Sequence, residues 1–335
     1  GGLVVILRTG DLVSFAAWNA LTAAVEVVLY LVACYRLVPQ LSLRLRISVP
    51  ALANTWRFAR DMSIIYVLST ILVQSDRLML SRLEPIDQFG YYTLAFNLLF
   101  GLTLVQGFIT GAMLPAFAAT FQHCATEELA RQYFLASQGL TFVYAPPIAV
   151  MIFFGGDFLR VWTSPETAAS SVRILQVLAP AFLINAVIAV TSTLAIATGM
   201  TGLIVRFNSV ALLLYLPALY VAILGWGPLG AASAWLAFNL FYLVGILPLV
   251  QRLVIGQVRT RWLLQGILPV VLAGAGVFGL ARALLQVAHW QSDIAILAMC
   301  VAAGLVYAVM GLRFLDPIFR ERLMQTLRSV RPAVS

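Results

Sequence analysis

Ser63, Tyr66, Thr70, Gln74, Arg77 and Ser81 recur three or four residues apart along an otherwise apolar stretch. At about 3.6 residues per turn, that spacing draws one polar stripe down a helix. Ser69 and Asp76 form a second line beside it, while Ile64, Leu68, Ile71, Leu72, Leu78 and Met79 occupy the opposite side. One side suits lipid or packed helices, and the other suits a wet cavity that a cation and a carboxylate would polarise. A plainer reading stays open. Asp76 and Arg77 lie roughly 21 Å along the axis from Met62, a depth at which both also fit a helix end near the headgroups.

Other polar residues are scattered. Glu26, between Val25 and Val27, is the most isolated charge in the chain and fits either proton coupling or a structural partner for an arginine. Asn97, Asn185, Asn208 and Asn239 each fall within a different apolar segment, where interhelical hydrogen bonding is the ordinary role. Trp235, Asn239 and Tyr242 share a face at i, i+4 and i+7, which reads as packing. Arg8 and Arg206 are further cations that fit either a pathway or a helix end. Cys34, Cys124 and Cys300 lie on separate segments, and His123 and His289 stand alone, so no metal site, disulfide framework or cofactor is expected. All 21 basic residues are arginine. Without lysine, neither a phosphate-binding P-loop nor a Schiff base can be built.

These residues must be positioned by membrane-spanning helices. Hydrophobic residues make up 62% of the chain and charged residues 10%, and the mean hydropathy is +0.96. So few charges cannot coat a water-facing surface. Segments of about 20 apolar residues, enough to cross the hydrocarbon, run approximately over 12–35, 60–80, 91–115, 132–155, 173–197, 204–225, 229–250 and 263–287, with a ninth near 292–312. The expected fold is an all-α polytopic transmembrane bundle. Pro146-Pro147, Pro180, Pro217, Pro248 and Pro269 interrupt several spans, and Trp226-Gly227-Pro228 reads as a tight turn between two of them. Trp56, Trp162, Trp226, Trp262 and Trp290 fall near segment ends, where an indole sits between headgroup and hydrocarbon.

Alternating the loops divides the arginines 15 to 6. The richer side holds the stretch 37–59 and the C-terminus, which are therefore expected in the cytoplasm. The same arginines account for the pI of 9.8. No basic patch with interleaved aromatics lies outside the helix ends, so nucleic acid is not an expected partner. The opening Gly1-Gly2-Leu3 and the apolar run behind it read as the end of a preceding segment, so a chain lacking its N-terminal part is expected.

The stretch Gln74-Ser75-Asp76-Arg77-Leu78-Met79-Leu80-Ser81-Arg82-Leu83, followed by Phe89-Gly90-Tyr91-Tyr92-Thr93-Leu94-Ala95, resembles the seventh helix and following turn of bacterial polysaccharide flippases. These belong to the multidrug/oligosaccharidyl-lipid/polysaccharide exporter superfamily. Trp56-Arg57-Phe58-Ala59-Arg60 enters that helix as in the family, and Pro115 and Gly227-Pro228-Leu229-Gly230-Ala231-Ala232 follow in the family's order along about 250 residues. The resemblance implies two six-helix lobes around a central cavity. Residues 1–36 would be a remnant of the first lobe, otherwise mostly absent, with its sixth helix at 12–36. Residues 37–59 would be a cytoplasmic inter-lobe loop, 60–250 the second lobe, and 251–335 two extra helices and a cytoplasmic tail.

The implied activity is not enzymatic. It is movement of an undecaprenyl-pyrophosphate-linked oligosaccharide across the bacterial inner membrane for surface polysaccharide such as O-antigen. Membrane lipids, a polysaccharide polymerase and glycosyltransferases are the implied partners. A pyrophosphate needs a cationic, hydrated path, and arginine meets phosphate bidentately without losing its charge. Arg77 is the first expected contact, with Asp76, Gln74, Thr70, Asn97, Glu26, Arg206 and Arg8 along the pathway. Two alternatives stand beside it. One is an exporter of drugs or peptidoglycan precursors, which would lean on the intramembrane carboxylates Glu26 and Asp76. The other is a membrane glycosyltransferase or polymerase, for which the loop from Asp157 to Glu166 offers the largest external surface.

Overall fold

The computed structural model describes residues 12–37, 49–256, 263–290 and 292–314, and these are helical apart from short turns, with no strand among them. Two compact units divide at Trp56 and Arg57. The first holds α1 (Leu12–Leu37), an apolar helix on which Glu26 is exposed. Arg8, the stretch 38–48, Trp262 and the tail from 315 lie outside the described residues. Helix α2 (Val49–Leu83) begins in the first unit and runs into the second.

The second unit continues with α3 (Ile86–Phe100), α4 (Thr103–Gln122), α5 (Thr126–Phe153), the short α6 (Gly155–Trp162), α7 (Pro165–Ala197), α8 (Thr201–Val254), a single π-helical turn at Leu263–Ile267, α9 (Leu268–Val287) and α10 (Asp293–Phe314). Eight helical stretches among the described residues are long and apolar enough to cross a membrane. This is a multi-pass membrane protein.

Helix α8 supplies two crossings. Its 54 residues would reach about 80 Å if straight, far beyond the roughly 30 Å of hydrocarbon. Gly227 breaks it, at φ 56° and ψ −136°. A side chain at that φ would press on the following carbonyl, and glycine has none. The two arms fold back on each other, as the ring contacts record. Phe207 stacks on Phe241 at 5.3 Å, and Tyr215 packs on Phe238 at 4.6 Å and on Trp235 at 6.2 Å. Partners that advance along one arm retreat along the other, so the arms are antiparallel. The Trp226-Gly227-Pro228 turn stands, and it divides one of the eight apolar stretches into two arms, each long enough to cross. Pro269 lies within the apolar stretch Leu263–Val287, at the change from the π-helical turn to the first turn of α9, where its missing N–H breaks the regular helix.

Helix α7 is the hub, packed by α3, α4, α5, α6 and α8. Its buried face is rich in small residues, including Ala179, Ala181, Ala186 and Ala195. Lipid tails are as apolar as leucine, so helices in a bilayer associate through close backbone approach and hydrogen bonds rather than through exclusion of water. A second cluster joins α5, α9 and α10 around Val270, Phe278 and Tyr307, the last donating its hydroxyl to the Phe142 carbonyl at 3.0 Å.

Candidate functional site

Between the ends of the spans, α2, α4, α7 and both arms of α8 leave a hollow of about 320 Å³. Its polar lining is made of amides and hydroxyls: Ser69 from α2, Gln106 and Thr110 from α4, Asn185, Ser192 and Thr193 from α7, and Asn208, Asn239 and Tyr242 from α8. Trp235 and Phe238 add aromatic walls, stacked on each other at 5.3 Å. No lining residue is an arginine or a carboxylate.

Hydrogen bonds hold the amides in place. Asn185 Nδ2 donates to Asn239 Oδ1 at 3.0 Å, linking α7 to the second arm of α8, and Asn239 Nδ2 donates to the Trp235 carbonyl at 2.9 Å. Tyr242 donates its hydroxyl to Asn208 Oδ1 at 2.8 Å, tying the two arms. From α5, Tyr144 donates its hydroxyl to the Leu102 carbonyl just before α4 at 2.6 Å and passes 3.4 Å from Gln106 Oε1. Asn208 thus uses its oxygen as an acceptor within the protein, which leaves its NH₂ group as the donor for a ligand.

The polar stripe on α2 points elsewhere. Thr70 and Gln74 are exposed, as are Ser63, Tyr66 and Ser81, and none of them lines the hollow. Three of the hydroxyls are satisfied by their own helix: Ser63 donates to the Ala59 carbonyl, Thr70 to Tyr66 and Ser81 to Leu78. Helix α2 meets the hollow through the neighbouring line instead, with Ile65, Ser69, Leu72 and Val73.

Asp76 and Arg77 separate in role. Asp76 is fully buried and accepts from the Tyr92 hydroxyl of α3 and, at 2.7 Å, from the backbone N–H of Arg77. Arg77 is half-buried, with its guanidinium 4.5 Å from the centroid of the Phe96 ring and its Nε without a hydrogen-bond partner. A guanidinium over an aromatic face gains cation–π attraction when desolvated. Phe96 in turn packs 6.5 Å from Trp235 of the cavity wall. Arg77 is therefore two rings away from the hollow, beside it rather than in it.

The remaining expected pathway residues are dispersed. Asn97 and Arg206 are exposed, on α3 and on the first arm of α8. Glu26 belongs to the other compact unit. The structure also brings in Gln106, which the spacing could not single out. It converges with Asn208 and Tyr242 from three stretches of chain, and Trp235, Asn239 and Tyr242, expected to pack, form one cavity wall. The i, i+4, i+7 face was the visible signal. Asp61, 4% exposed, accepts from Thr201 Oγ1 at 3.1 Å and from Arg60 Nη2 at 2.8 Å, closing the end of the bundle where α2 meets α8.

Residues 10–165 match the sequence profile of a family described as "Polysaccharide biosynthesis protein". A Shigella flexneri protein named "Putative O-antigen transporter" is 23% identical over 178 residues, which cover 53% of this chain and 42% of that protein. The chain thus spans less than half the length of this relative. No solved structure matches. The chain is thus similar to proteins of polysaccharide biosynthesis over its first half and to a protein named as an O-antigen transporter.

Proposed function

We propose that this chain forms part of a flippase carrying a polyprenyl-pyrophosphate-linked oligosaccharide, of the undecaprenyl type, across the bacterial inner membrane, with its C-terminus in the cytoplasm. The observation that carries this reading is the uncharged, hydrogen-bonding hollow set among apolar spans. Its chemistry fits a saccharide. Free amide N–H₂ groups and hydroxyls can exchange hydrogen bonds with sugar hydroxyls that leave water, and the Trp235 and Phe238 rings offer flat apolar surface to the C–H face of a pyranose. A cationic drug would instead call for a carboxylate, and the lining supplies none. Arg77, poised beside Phe96, is the cation for the phosphate-bearing end of the cargo. The cargo would pass by alternating access of two lobes, of which residues 60–250 are the second. A polymerase and glycosyltransferases would act on the same polysaccharide before or after it.

The test is surface polysaccharide export in cells that depend on this protein. Asn239→Leu removes the Asn185 bond and one amide from the lining. It is expected to cut export about tenfold, the scale of one lost polar contact to a ligand, while costing only about 1 kcal/mol of stability. Arg77→Gln keeps the side-chain bulk and removes the charge, and a loss of similar size is expected with membrane abundance unchanged. Export at the wild-type rate in both variants would remove this site from the transport path.

A further inference from the structure

A second hollow, of about 360 Å³, opens at one end of the bundle, where α5 passes into α6 and where α9 ends and α10 begins. Unlike the first, it is charged. Asp157, Arg160, Arg282, Gln286, His289 and Trp290 line it. Arg282 Nη1 donates to Asp157 Oδ2 at 2.6 Å, and Arg160 Nη1 stands 3.9 Å from Asp157 Oδ1. The Arg282 side chain, 28% exposed, lies 5.6 Å from the centroid of the buried Phe154 ring. Two guanidinium groups thus share one carboxylate, and the hollow carries a net positive charge with more N–H donors than Asp157 can accept.

The surroundings suit an anion at the edge of a bilayer. The backbone N–H groups of Ala288, His289 and Trp290 cap the last carbonyls of α9, with bonds to Leu284, Gln286 and Leu285, so an anion would not face bare carbonyl oxygens there. Trp290, which lines the hollow and is exposed, follows the end of the apolar α9, and an indole at a span end suits the depth at which lipid phosphates lie. Basic pockets between transmembrane helices at that depth bind anionic headgroups, and the guanidinium fork matches phosphate oxygens.

We infer that this hollow binds a phosphate group, held by Arg282 and Arg160, and that Asp157 orients Arg282 and limits the affinity. A membrane phospholipid headgroup and a free phosphate share this chemistry. The site is independent of the transport reading, since none of its residues lines the first cavity.

Native mass spectrometry of the full chain in mild detergent tests it, with phosphatidylglycerol as probe and diacylglycerol as its phosphate-free counterpart. Wild-type protein is expected to retain phosphatidylglycerol in preference. Arg160→Gln should lower retention about tenfold, the loss of one charge-assisted contact. Asp157→Asn, which keeps an acceptor for Arg282 but deletes the competing charge, should raise it about threefold. The paired change Asp157→Asn with Arg282→Gln leaves only the Arg160 charge, whose side chain is 65% exposed and stays solvated, and retention should fall below that of Asp157→Asn alone. Displacement of the lipid by millimolar inorganic phosphate would show that the phosphate group suffices. Retention despite it would assign the lipid headgroup as the source, and either result supports the site. Equal retention of the two lipids, or a loss on Asp157→Asn as large as in the paired variant, would overturn it and leave the cluster as an ion pair joining α6 to α9.

Discussion

Gly230→Ala is expected to remove most of the folded protein from the membrane. The position sits in the second arm of α8, just past the turn, where the backbones of the two arms approach each other closely. A Cβ there would fall 1.9 Å from the carbonyl oxygen of Ala222 on the opposite arm and 2.5 Å from its carbonyl carbon. The obstacle is backbone, which cannot rotate aside, so the arms would have to part by about 1.5 Å to restore ordinary contact. That separation would propagate along the seam that Tyr215, Trp235 and Phe238 fill, and would loosen the Tyr242–Asn208 bond across it. Overpacking of this kind costs about 3 kcal/mol or more when backbone must move, and steady-state abundance should fall several-fold. Gly225→Ala is the matched control. It lies on the same hairpin with nothing within 4 Å of a new Cβ, and its abundance should equal wild type or exceed it slightly, as helix propensity favours alanine. If Gly230→Ala accumulates and melts like Gly225→Ala, the close seam does not exist.

The second large effect is expected at Asp76. Its carboxylate has no exposure and is the acceptor for the Tyr92 hydroxyl, itself fully buried. Asp76→Ala would leave that hydroxyl without a partner in an apolar surrounding, and would leave the Arg77 guanidinium, already lacking a partner for its Nε, without the neighbouring negative charge. Breaking a buried polar pair from one side costs about 3 kcal/mol, which corresponds to a fall of roughly 10 °C in melting temperature for a unit of this size. Asp76→Asn keeps an acceptor for Tyr92 and should cost much less. Tyr92→Phe removes the donor, and Asp76→Ala should be substantially milder in its presence. Melting in mild detergent measures all four variants. Strictly additive effects would show that the two side chains do not act as a pair.

These residues also show how far the sequence could be read. Membrane character, the helical class and the spans followed from composition and from the length of apolar runs. Those depend only on the cost of placing charge and unpaired backbone in hydrocarbon, a property of each segment by itself. Trp226-Gly227-Pro228 was legible as a turn for the same reason, because Gly227 alone accommodates φ 56° there. The matched family profile and the named relative agree with the resemblance seen in the Asp76–Arg77 stretch and the turn that follows it.

The location of the polar hollow was not legible. Helical spacing orders side chains around one axis but does not say which face meets a neighbour. The stripe Thr70–Gln74 was therefore the natural candidate for the cavity, yet the structure turns it outward and presents Ser69 and Val73 instead. Asp76, one residue from Arg77, is drawn inward by Tyr92, whose place 16 residues later carries no periodic signal. Asn185 and Asn239 lie 54 residues apart, and Asp157 and Arg282 125 apart. By itself, then, the sequence determined that the chain crosses a membrane as helices, where it turns, and which family it resembles, because each of these is set by local apolarity and backbone freedom. Only the tertiary structure decided which amides share a cavity and which arginines share a carboxylate. Those pairings depend on how helices rotate about their axes when packed, and rotation is settled by contacts between distant parts of the chain.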